Sequence, residues 1–469
     1  MEKLNYLLDR IVDRVNANLR AYEYDIEPYI RSIANLEKML KFSATYGVTS
    51  QHPLSLNFKN SNISGSYFLG KCSVKRSVVY KSEIRGDELK RKGDIISDSY
   101  KVPLAQDEKI KIKGSFLFKT LVHSNSHNPE TPEEFYIRNT VSTHYSNIHG
   151  STVAGCYIGP YATVDLMSLH SCIVGEYSYL QADELFHRSI NPGTILVEND
   201  SFSFIYKYNP DVLKKYVYID DSSVPKGVLV DFVEDRKNEF ERLYAQVDLE
   251  PFKAPESSSI SRFCLIKGKT RIGENVMACQ RSYLENAIMG EGSNAQENCY
   301  IINSHLKGFN VTAHGGKIIN SDLEPNVFVG FNSFLNGKKD SRISIGEDCI
   351  VMPHTIIDSD EAIKVPANHI VWGFIGSQKD VEINSISADN LMATKEATSE
   401  GMEFKGDGDV FVNAFKGRIK HILELNGAFA KDGENEGHAQ SKQNASLNTL
   451  QPYRTGPNKG VYPTIRIAP

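Results

Sequence analysis

The sequence lacks long hydrophobic runs and an excess of positive charge. No stretch of its 469 residues approaches the roughly 20 consecutive apolar residues that cross a bilayer. The N-terminal stretch, MEKLNYLLDRIVDRV, carries acidic residues where a signal peptide has its apolar core. The formal net charge is −5, whereas binding of nucleic acid leaves a basic footprint in a sequence. We therefore expect a cytoplasmic protein with no membrane span and no nucleic-acid partner.

Paired cysteines are also missing. The seven cysteines include no CxxC pair, and their number is odd, which argues against a disulfide framework and against a cysteine-ligated zinc site. We interpret them as small core residues in a reducing compartment. They are Cys72, Cys156, Cys172, Cys264, Cys279, Cys299 and Cys349.

A six-residue repeat is the most regular feature of the chain. Each hexad begins with an aliphatic residue, continues with glycine and has a small residue at its fifth position. The clearest copies begin at Ile158, Val174, Met289, Val329 and Ile345, and a weaker copy begins at Ile272. Paired copies start 16 or 17 residues apart, slightly less than the 18 residues of three full hexads. With the aliphatic residues stacked inside, the repeat predicts a mainly β protein, a parallel β-helix with three strands per coil.

The pattern is interrupted and is flanked by helical periodicity. Apolar residues recur at three- and four-residue spacing near both ends of the chain, which predicts N- and C-terminal α-helices around the β-helix and its two insertions. The expected segments are an N-terminal helical segment (1–50), a first β-helix part (51–200) with an insertion at about 88–140, an insertion with a helix (201–258), the main β-helix block (259–376), a C-terminal helical segment (377–430) and a flexible tail (431–469).

These hexads, with the closing phrase Val365-Pro-Ala-Asn-His-Ile-Val-Trp-Gly, resemble the hexapeptide-repeat transferase superfamily over about 141–200 and 262–375. The resemblance implies a left-handed parallel β-helix that forms a homotrimer with active sites between neighbouring subunits. It also implies transfer of an acyl group from acyl-CoA or acyl carrier protein to an amine or hydroxyl, with a histidine as general base.

Within the main block, His314 is the candidate catalytic base, because an imidazole titrates near neutral pH. It stands in Asn310-Val-Thr-Ala-His-Gly-Gly-Lys317, where the hexad register breaks. The two glycines could leave backbone N–H groups beside the base and let a substrate approach. The predicted substrate-binding residues are Asn310, Gly315, Gly316 and Asn332. The alternative is that His-Gly-Gly is a plain turn and that the asparagines occupy corners.

A second constellation resembles the γ-class carbonic anhydrases, in an Arg-Gly-Asp phrase (Arg85 to Asp87) followed by His144-Tyr-Ser-Asn-Ile-His149-Gly. That resemblance implies an ion pair between Arg85 and Asp87 and a divalent metal ion held by His144, His149 and a third histidine. The third ligand would be His123, which falls where the repeat pattern fails.

Three functions stay open from the sequence. One is an acyltransferase acting on a sugar or amine acceptor with acyl-CoA as co-substrate. Another is a metalloenzyme similar to the γ-carbonic anhydrases. The third is a non-catalytic scaffold that builds an assembly larger than a trimer through its terminal helices or tail.

Overall fold

The computed structural model describes residues 1–49, 55–95, 101–125, 135–245, 252–441, 446–451, 461 and 464–468. The chain divides into two compact units. Unit 1 comprises residues 1–194, 210–228 and 444–469, and unit 2 comprises residues 195–209 and 229–443.

Unit 1 contains three parallel sheets, here called A, B and C, and successive strands enter them in turn. Sheet A contains Ala44–Val48, Ser66–Leu69, Glu83–Glu88, Leu121–Asn125, Asn147–His149, Thr163–Asp165 and Tyr179–Gln181. Sheet B contains Leu56–Lys59, Cys72–Lys75, Ile110–Lys113, Tyr136–Arg138, Thr152–Ala154, Ser168–His170 and Glu184–Phe186. Sheet C contains Asn62–Ser64, Val78–Tyr80, Phe116–Phe118, Val141–Ser142, Tyr157–Ile158, Ile173–Val174 and Ser189–Ile190. This order, one strand per sheet in each coil, is consistent with the predicted hexapeptide-repeat β-helix.

Regular strands of unit 1 lie inside the insertion expected at about 88–140. Strands Ile110–Lys113, Phe116–Phe118 and Leu121–Asn125 pair in register with the strands of neighbouring coils. These strands were not predicted from the sequence, because residues 89–109 and 126–135 each follow a sheet A strand and displace the next hexads from the 16-residue spacing. These strands interrupt the predicted insertion, and the prediction of one continuous insertion is corrected.

The tail also contributes strands to unit 1. Ser446–Leu450 pairs antiparallel with Ala44–Val48, and Ile465–Ile467 pairs antiparallel with Leu56–Lys59. These strands satisfy backbone groups that the first coil would otherwise leave open at a sheet edge. The tail that was expected to be flexible therefore forms strands in these two segments.

The N-terminal helices of unit 1 cover sheet C. They are α1 (Glu2–Leu19), α2 (Glu27–Ile33) and α3 (Leu36–Met39), with a 3₁₀ turn at Arg20–Tyr22. The apolar face of α1, which includes Leu8, Ile11 and Val15, joins one core cluster with Phe116 and Tyr157 of sheet C. Residues 210–228 supply α4 (Pro210–Tyr216) and a hairpin of Tyr218–Ile219 and Pro225–Lys226. The amphipathic helix predicted at the N-terminus is confirmed.

Unit 2 repeats the arrangement with sheets D, E and F. Sheet D contains Ser259–Ile260, Met277–Ala278, Asn294–Ala295, Val311–Thr312, Phe328–Val329, Ile350–Val351 and His369–Val371, with Ser385–Ser387 antiparallel at its end. Sheet E contains Leu265–Lys267, Tyr283–Glu285, Tyr300–Ile302, Lys317–Ile319, Phe334–Asn336, Ile356–Asp358 and Phe374–Ile375. Sheet F contains Arg271–Ile272, Ile288–Met289, His305–Leu306, Ser321–Leu323, Ile343–Ile345 and Ile363–Val365. The hexad aliphatics Met289, Val329 and Ile345 are 0–1% exposed and belong to its central core.

Helices and a small antiparallel region complete unit 2. The helices are α5 (Val228–Glu234), α6 (Lys237–Ala245), α7 (Gln378–Ile383), α8 (Ala388–Met392) and α9 (Gly408–Leu425). The further strands are Thr194–Glu198, Phe202–Lys207, Glu396–Ser399 and Met402–Gly406. The segment expected to be helical at 377–430 thus contains strands as well. Across the described ranges, the helices fall short of the length and apolarity that spanning a membrane requires.

The coils are also joined at their corners by side chains. In unit 1, six backbone N–H groups each donate to the side-chain hydroxyl or thiol of the corner residue one coil earlier, at 3.1–3.4 Å. They belong to Ser77, Ser115, Thr140, Cys156, Cys172 and Arg188. Unit 2 uses the fifth hexad residue in the same way, since Ser333 accepts from Thr355 and Cys349 from His369. The fifth residue is therefore selected both for small size and as a hydrogen-bond acceptor.

Replacing one of these acceptors tests the corner bonds. Ser77→Ala leaves the buried N–H of Ser115 without its acceptor, so we expect a loss of about 1–3 kcal/mol in the free energy of unfolding. Ser77→Cys keeps an acceptor of the kind used by Cys156 and should lose less. Thermal denaturation of both variants, with the outward-facing Ser73→Ala as control, measures the difference. Equal melting temperatures for Ser77→Ala and Ser73→Ala would show that the corner bond contributes nothing.

Candidate functional site

The candidate base His314 lies at a corner of unit 2, between the sheet D strand Val311–Thr312 and the sheet E strand Lys317–Ile319. Its Nδ1 is 2.9 Å from a carboxylate oxygen of Glu297, which stands at the same corner one coil earlier. Both residues are 1% exposed. The two side chains form a buried ion pair whenever the imidazole of His314 is protonated. Burial strengthens this electrostatic interaction because little water screens it.

The two glycines after His314 shape the corner. Gly315 has φ +75°, and a Cβ there would lie 2.2 Å from Oδ1 of Asn332, so only glycine fits without displacement. The N–H of Gly315 donates to the Glu297 carbonyl and that of Gly316 to the Ala313 carbonyl, both at 2.9 Å. Both N–H groups are thus engaged within the coil, in contrast to the expectation that they face a substrate.

The two predicted substrate-binding asparagines also have roles in the coil. Asn310 is fully buried; its Oδ1 accepts from the N–H of Gly308 at 2.9 Å, and its Nδ2 donates to the Glu324 carbonyl at 2.7 Å. Asn332 takes a left-handed backbone conformation, with φ 50°, and lies against Gly315. These contacts agree with the alternative that the asparagines serve corners, and a role in substrate binding stays a prediction.

Lys317 is a buried cation close to this corner. It faces outward from sheet E between Tyr300 and Phe334 on the neighbouring strands. Phe232 of α5 packs on both rings, with centroids 5.2 and 5.9 Å away. The Lys317 Nζ donates to the Gly315 carbonyl at 2.7 Å. Removal from water lowers the pKa of Lys317 to about 7.

In unit 1 the structure brings two predicted metal ligands together. His123 and His149 occupy paired positions on adjacent sheet A strands, and their ring centroids are 5.2 Å apart. His149 Nδ1 is hydrogen-bonded to Oδ1 of the fully buried Asp165 at 2.7 Å, and the Tyr179 hydroxyl donates to the other carboxylate oxygen. His123 Nε2 lies 3.8 Å from a carboxylate oxygen of Glu88. His123 lies on a regular coil, and the strand register places it directly beside His149.

The remaining predicted ligand lies at a different position. His144 occupies the corner before the strand of His149, where its ring packs 4.7 Å from that of Phe118. Its Nδ1 lies 3.5 Å from the hydroxyl of Tyr29 in α2. Arg85 pairs in register with His123 in sheet A, whereas the side chain of Asp87 falls outside the described residues, so the ion pair of Arg85 with Asp87 stays a prediction.

Sequence reasoning missed the two acidic partners. Glu297 precedes His314 by 17 residues, and Asp165 follows His149 by 16 residues. Each distance equals one coil, so a search for carboxylates one repeat away from each histidine would have found both. The burial of Lys317 had no such signal, because it depends on helix α5, which lies far away in the sequence.

Comparison with known proteins supports one family. The sequence family described as "Hexapeptide repeat including loop" matches residues 100–221. A solved structure named "putative acetyltransferase", from Desulfovibrio desulfuricans G20, is 49% identical and has a TM-score of 0.92, with 100% of this chain and 99% of that chain covered. Another of the same name, from Bacillus cereus, is 12% identical over 37% of this chain and 96% of its own, and its TM-score of 0.21 is too low to bear on fold or function. No curated protein matches the sequence.

Lys317 gives a prediction for the pH dependence of stability. Its folded-state pKa of about 7 is below the ordinary value of 10.5, so between these values the unfolded chain binds more protons. The free energy of unfolding therefore rises with pH across this range and is lowest below pH 7. Lys317→Met removes the buried charge and should raise the melting temperature most at pH 6, with the gain shrinking toward pH 10.

The matched control is Lys364→Met, since Lys364 is an exposed lysine on a strand of the same unit. Melting curves from pH 6 to pH 10 compare the two variants with the unmodified chain. The stability gain of Lys317→Met is measured against the unmodified chain at the same pH. A smaller gain at pH 6 than at pH 10 would contradict a buried lysine with a lowered pKa.

Proposed function

We propose that this chain, which belongs to the hexapeptide-repeat transferase superfamily, transfers an acyl group from acyl-CoA or acyl carrier protein to an amine or hydroxyl of a sugar or similar acceptor. Support comes from its 49% identity, over the full length, with a structure named "putative acetyltransferase". The structural observation that carries the proposal is the buried contact of His314 with Glu297. A histidine oriented by a carboxylate is suited to proton abstraction from an acceptor.

In this proposal His314 Nε2 takes the proton from the attacking amine or hydroxyl. The acceptor's nitrogen or oxygen forms a bond to the thioester carbonyl carbon, and the carbon–sulfur bond then breaks. His314 returns the proton to the departing thiolate, so that free thiol and acylated acceptor are released. The carboxylate of Glu297 stabilises the imidazolium that exists between the two proton transfers. No outside oxidant or reductant is needed.

Access to the base follows from its surroundings. Since His314 is 1% exposed, an acceptor reaches Nε2 only when a neighbouring group moves aside on binding. Phe331, whose ring centroid lies 5.4 Å from that of His314, is the flanking side chain one coil further on. Gly315 and Asn332 form the adjoining wall. In the proposed complex these two residues, with Asn310 and Gly316, make up the acceptor site.

Three further parts complete the proposal, and the first two of them come from the superfamily. We propose that the coils wind in a left-handed sense, that the chain forms homotrimers, and that it works in the cytoplasm. The seven cysteines are all free and buried, as expected of thiols in a reducing compartment. Mass photometry of the purified chain tests the trimer.

Substitution of the base tests the proposal directly. His314→Gln removes the proton acceptor with little change in volume, so we expect CoA-dependent transfer to fall by about 10²–10⁴-fold. Glu297→Gln keeps the shape but removes the charge that stabilises the imidazolium, and should give a smaller loss. The measurement is release of free CoA from acetyl-CoA with a panel of amino and hydroxyl sugars. The control, His305→Gln, changes a half-buried histidine elsewhere in unit 2. Full activity of folded His314→Gln would exclude His314 as the base.

A divalent metal ion in unit 1 is a second candidate, favoured by the contact between His149 and Asp165. A histidine that binds metal through one nitrogen usually holds a carboxylate through the other, and Asp165 occupies Nδ1 in that way. His123 and His149 would supply two imidazoles. The resemblance to γ-carbonic anhydrases implies three histidines from two neighbouring subunits, so His144 would complete the site from another copy of the chain. A bound metal would supply a water molecule of lowered pKa.

Metal analysis of the full-length chain, as purified and without added metal, tests this candidate. We expect about one zinc, cobalt or iron per chain, and loss of it in His123→Ala and His149→Ala. The control, His170→Ala, alters a histidine on sheet B and should retain the metal. A chain with no metal above background is not a metalloenzyme of this kind, whatever its transferase activity.

A further inference from the structure

The outer face of sheet B carries a row of cations. Four consecutive strands place Lys59, Lys75, Lys113 and Arg138 in register, each opposite the next. We call these four residues the basic stripe. The residues before them, Phe58, Val74, Ile112 and Ile137, are 0–1% exposed and point inward, so the stripe points outward. With strands about 4.8 Å apart, it extends over roughly 14 Å, comparable with a short oligosaccharide.

The charges of the basic stripe are exposed, and no acidic side chain within the described ranges pairs with any of the four. Like charges directly opposite each other on neighbouring strands destabilise a sheet. The stripe also belongs to a chain whose net charge is −5. The fold thus concentrates positive charge where it opposes stability, which is the pattern expected of a surface that binds an anion.

Neighbouring residues extend the surface. Beside the stripe, the other outward column of sheet B contains Asn57, Ser73, Lys111, Tyr136, Thr152 and Ser168. These side chains are half-buried and offer hydroxyl, amide or ammonium groups. Arg14 of α1 lies near the same face, since a Cβ added to Gly114, the residue after Lys113, would lie 3.2 Å from a guanidinium nitrogen of Arg14. The face therefore combines a line of cations with a parallel line of hydrogen-bonding groups.

We propose that the basic stripe binds a linear acidic polysaccharide, with sugar carboxylates on the cations and sugar hydroxyls on the neighbouring polar column. Carboxylates that recur along a chain match cations that recur at every coil. A single-stranded nucleic acid fits less well, because it needs aromatic side chains on which successive bases stack, and the four rungs of the stripe offer only Tyr136. This binding does not depend on acyl transfer at His314.

Calorimetry of the full-length chain with oligogalacturonate tests the proposal. We expect binding at low ionic strength that weakens strongly at 0.15 M salt, roughly the physiological value at which exposed charges are screened beyond about 8 Å. Lys75→Glu places an acid between Lys59 and Lys113, so binding should weaken by about tenfold or more. The same change relieves repulsion, so the melting temperature should stay the same or rise.

The control, Lys364→Glu, reverses an exposed lysine on a sheet F strand of unit 2 and should leave the affinity unchanged. Neutral dextran and single-stranded DNA are tested in parallel. The proposal is overturned if oligogalacturonate does not bind, if dextran binds equally well, or if Lys75→Glu binds as tightly as the unmodified chain. Tighter binding of the DNA than of oligogalacturonate would assign the stripe to nucleic acid and equally overturn it.

Discussion

The structure depends on the register between successive coils. Inward aliphatic residues such as Ile148 and Val164 stack on one another at 0% exposure, and corner side chains such as Ser77 accept an N–H from the next coil. A slip of one residue would expose the aliphatics and break the corner bonds together. The register is therefore fixed, and it determines which side chains meet on the outside of each unit.

Each chemical feature of the molecule is a consequence of that register. A residue one repeat away in sequence becomes a neighbour about 4.8 Å away in space. In this way Glu297 meets His314 in unit 2, and Asp165 meets His149 in unit 1. The basic stripe arises from the same rule, applied to lysines and an arginine. The proposed catalytic base, the candidate metal site and the proposed polysaccharide surface share one geometric origin, although their chemistries differ.

The sequence was sufficient for the repeat but not for its full extent. Hexads with aliphatic, glycine and small residues predicted the coils around Ile158 and Val329, because local spacing alone specifies them. The strands of Ile112 and Val122 were not predicted, because the additional residues at 89–109 and 126–135 separate their hexads from the regular period. His314 was identified as the candidate base from the residues around it in the sequence. Its partner Glu297 could be found only by looking for carboxylates one coil away from the histidine. The surroundings of Lys317 were beyond prediction, because helix α5 covers it through contacts that no local pattern encodes.

The most direct measurement of the register at the candidate site is a double-mutant cycle on Glu297 and His314, using thermal unfolding of Glu297→Gln, His314→Gln and the double variant. A direct contact in a buried corner predicts that the two substitutions are coupled by about 0.5–3 kcal/mol. Additive effects of the two substitutions would show that the side chains do not meet, and would contradict the account of how the coils assemble this site.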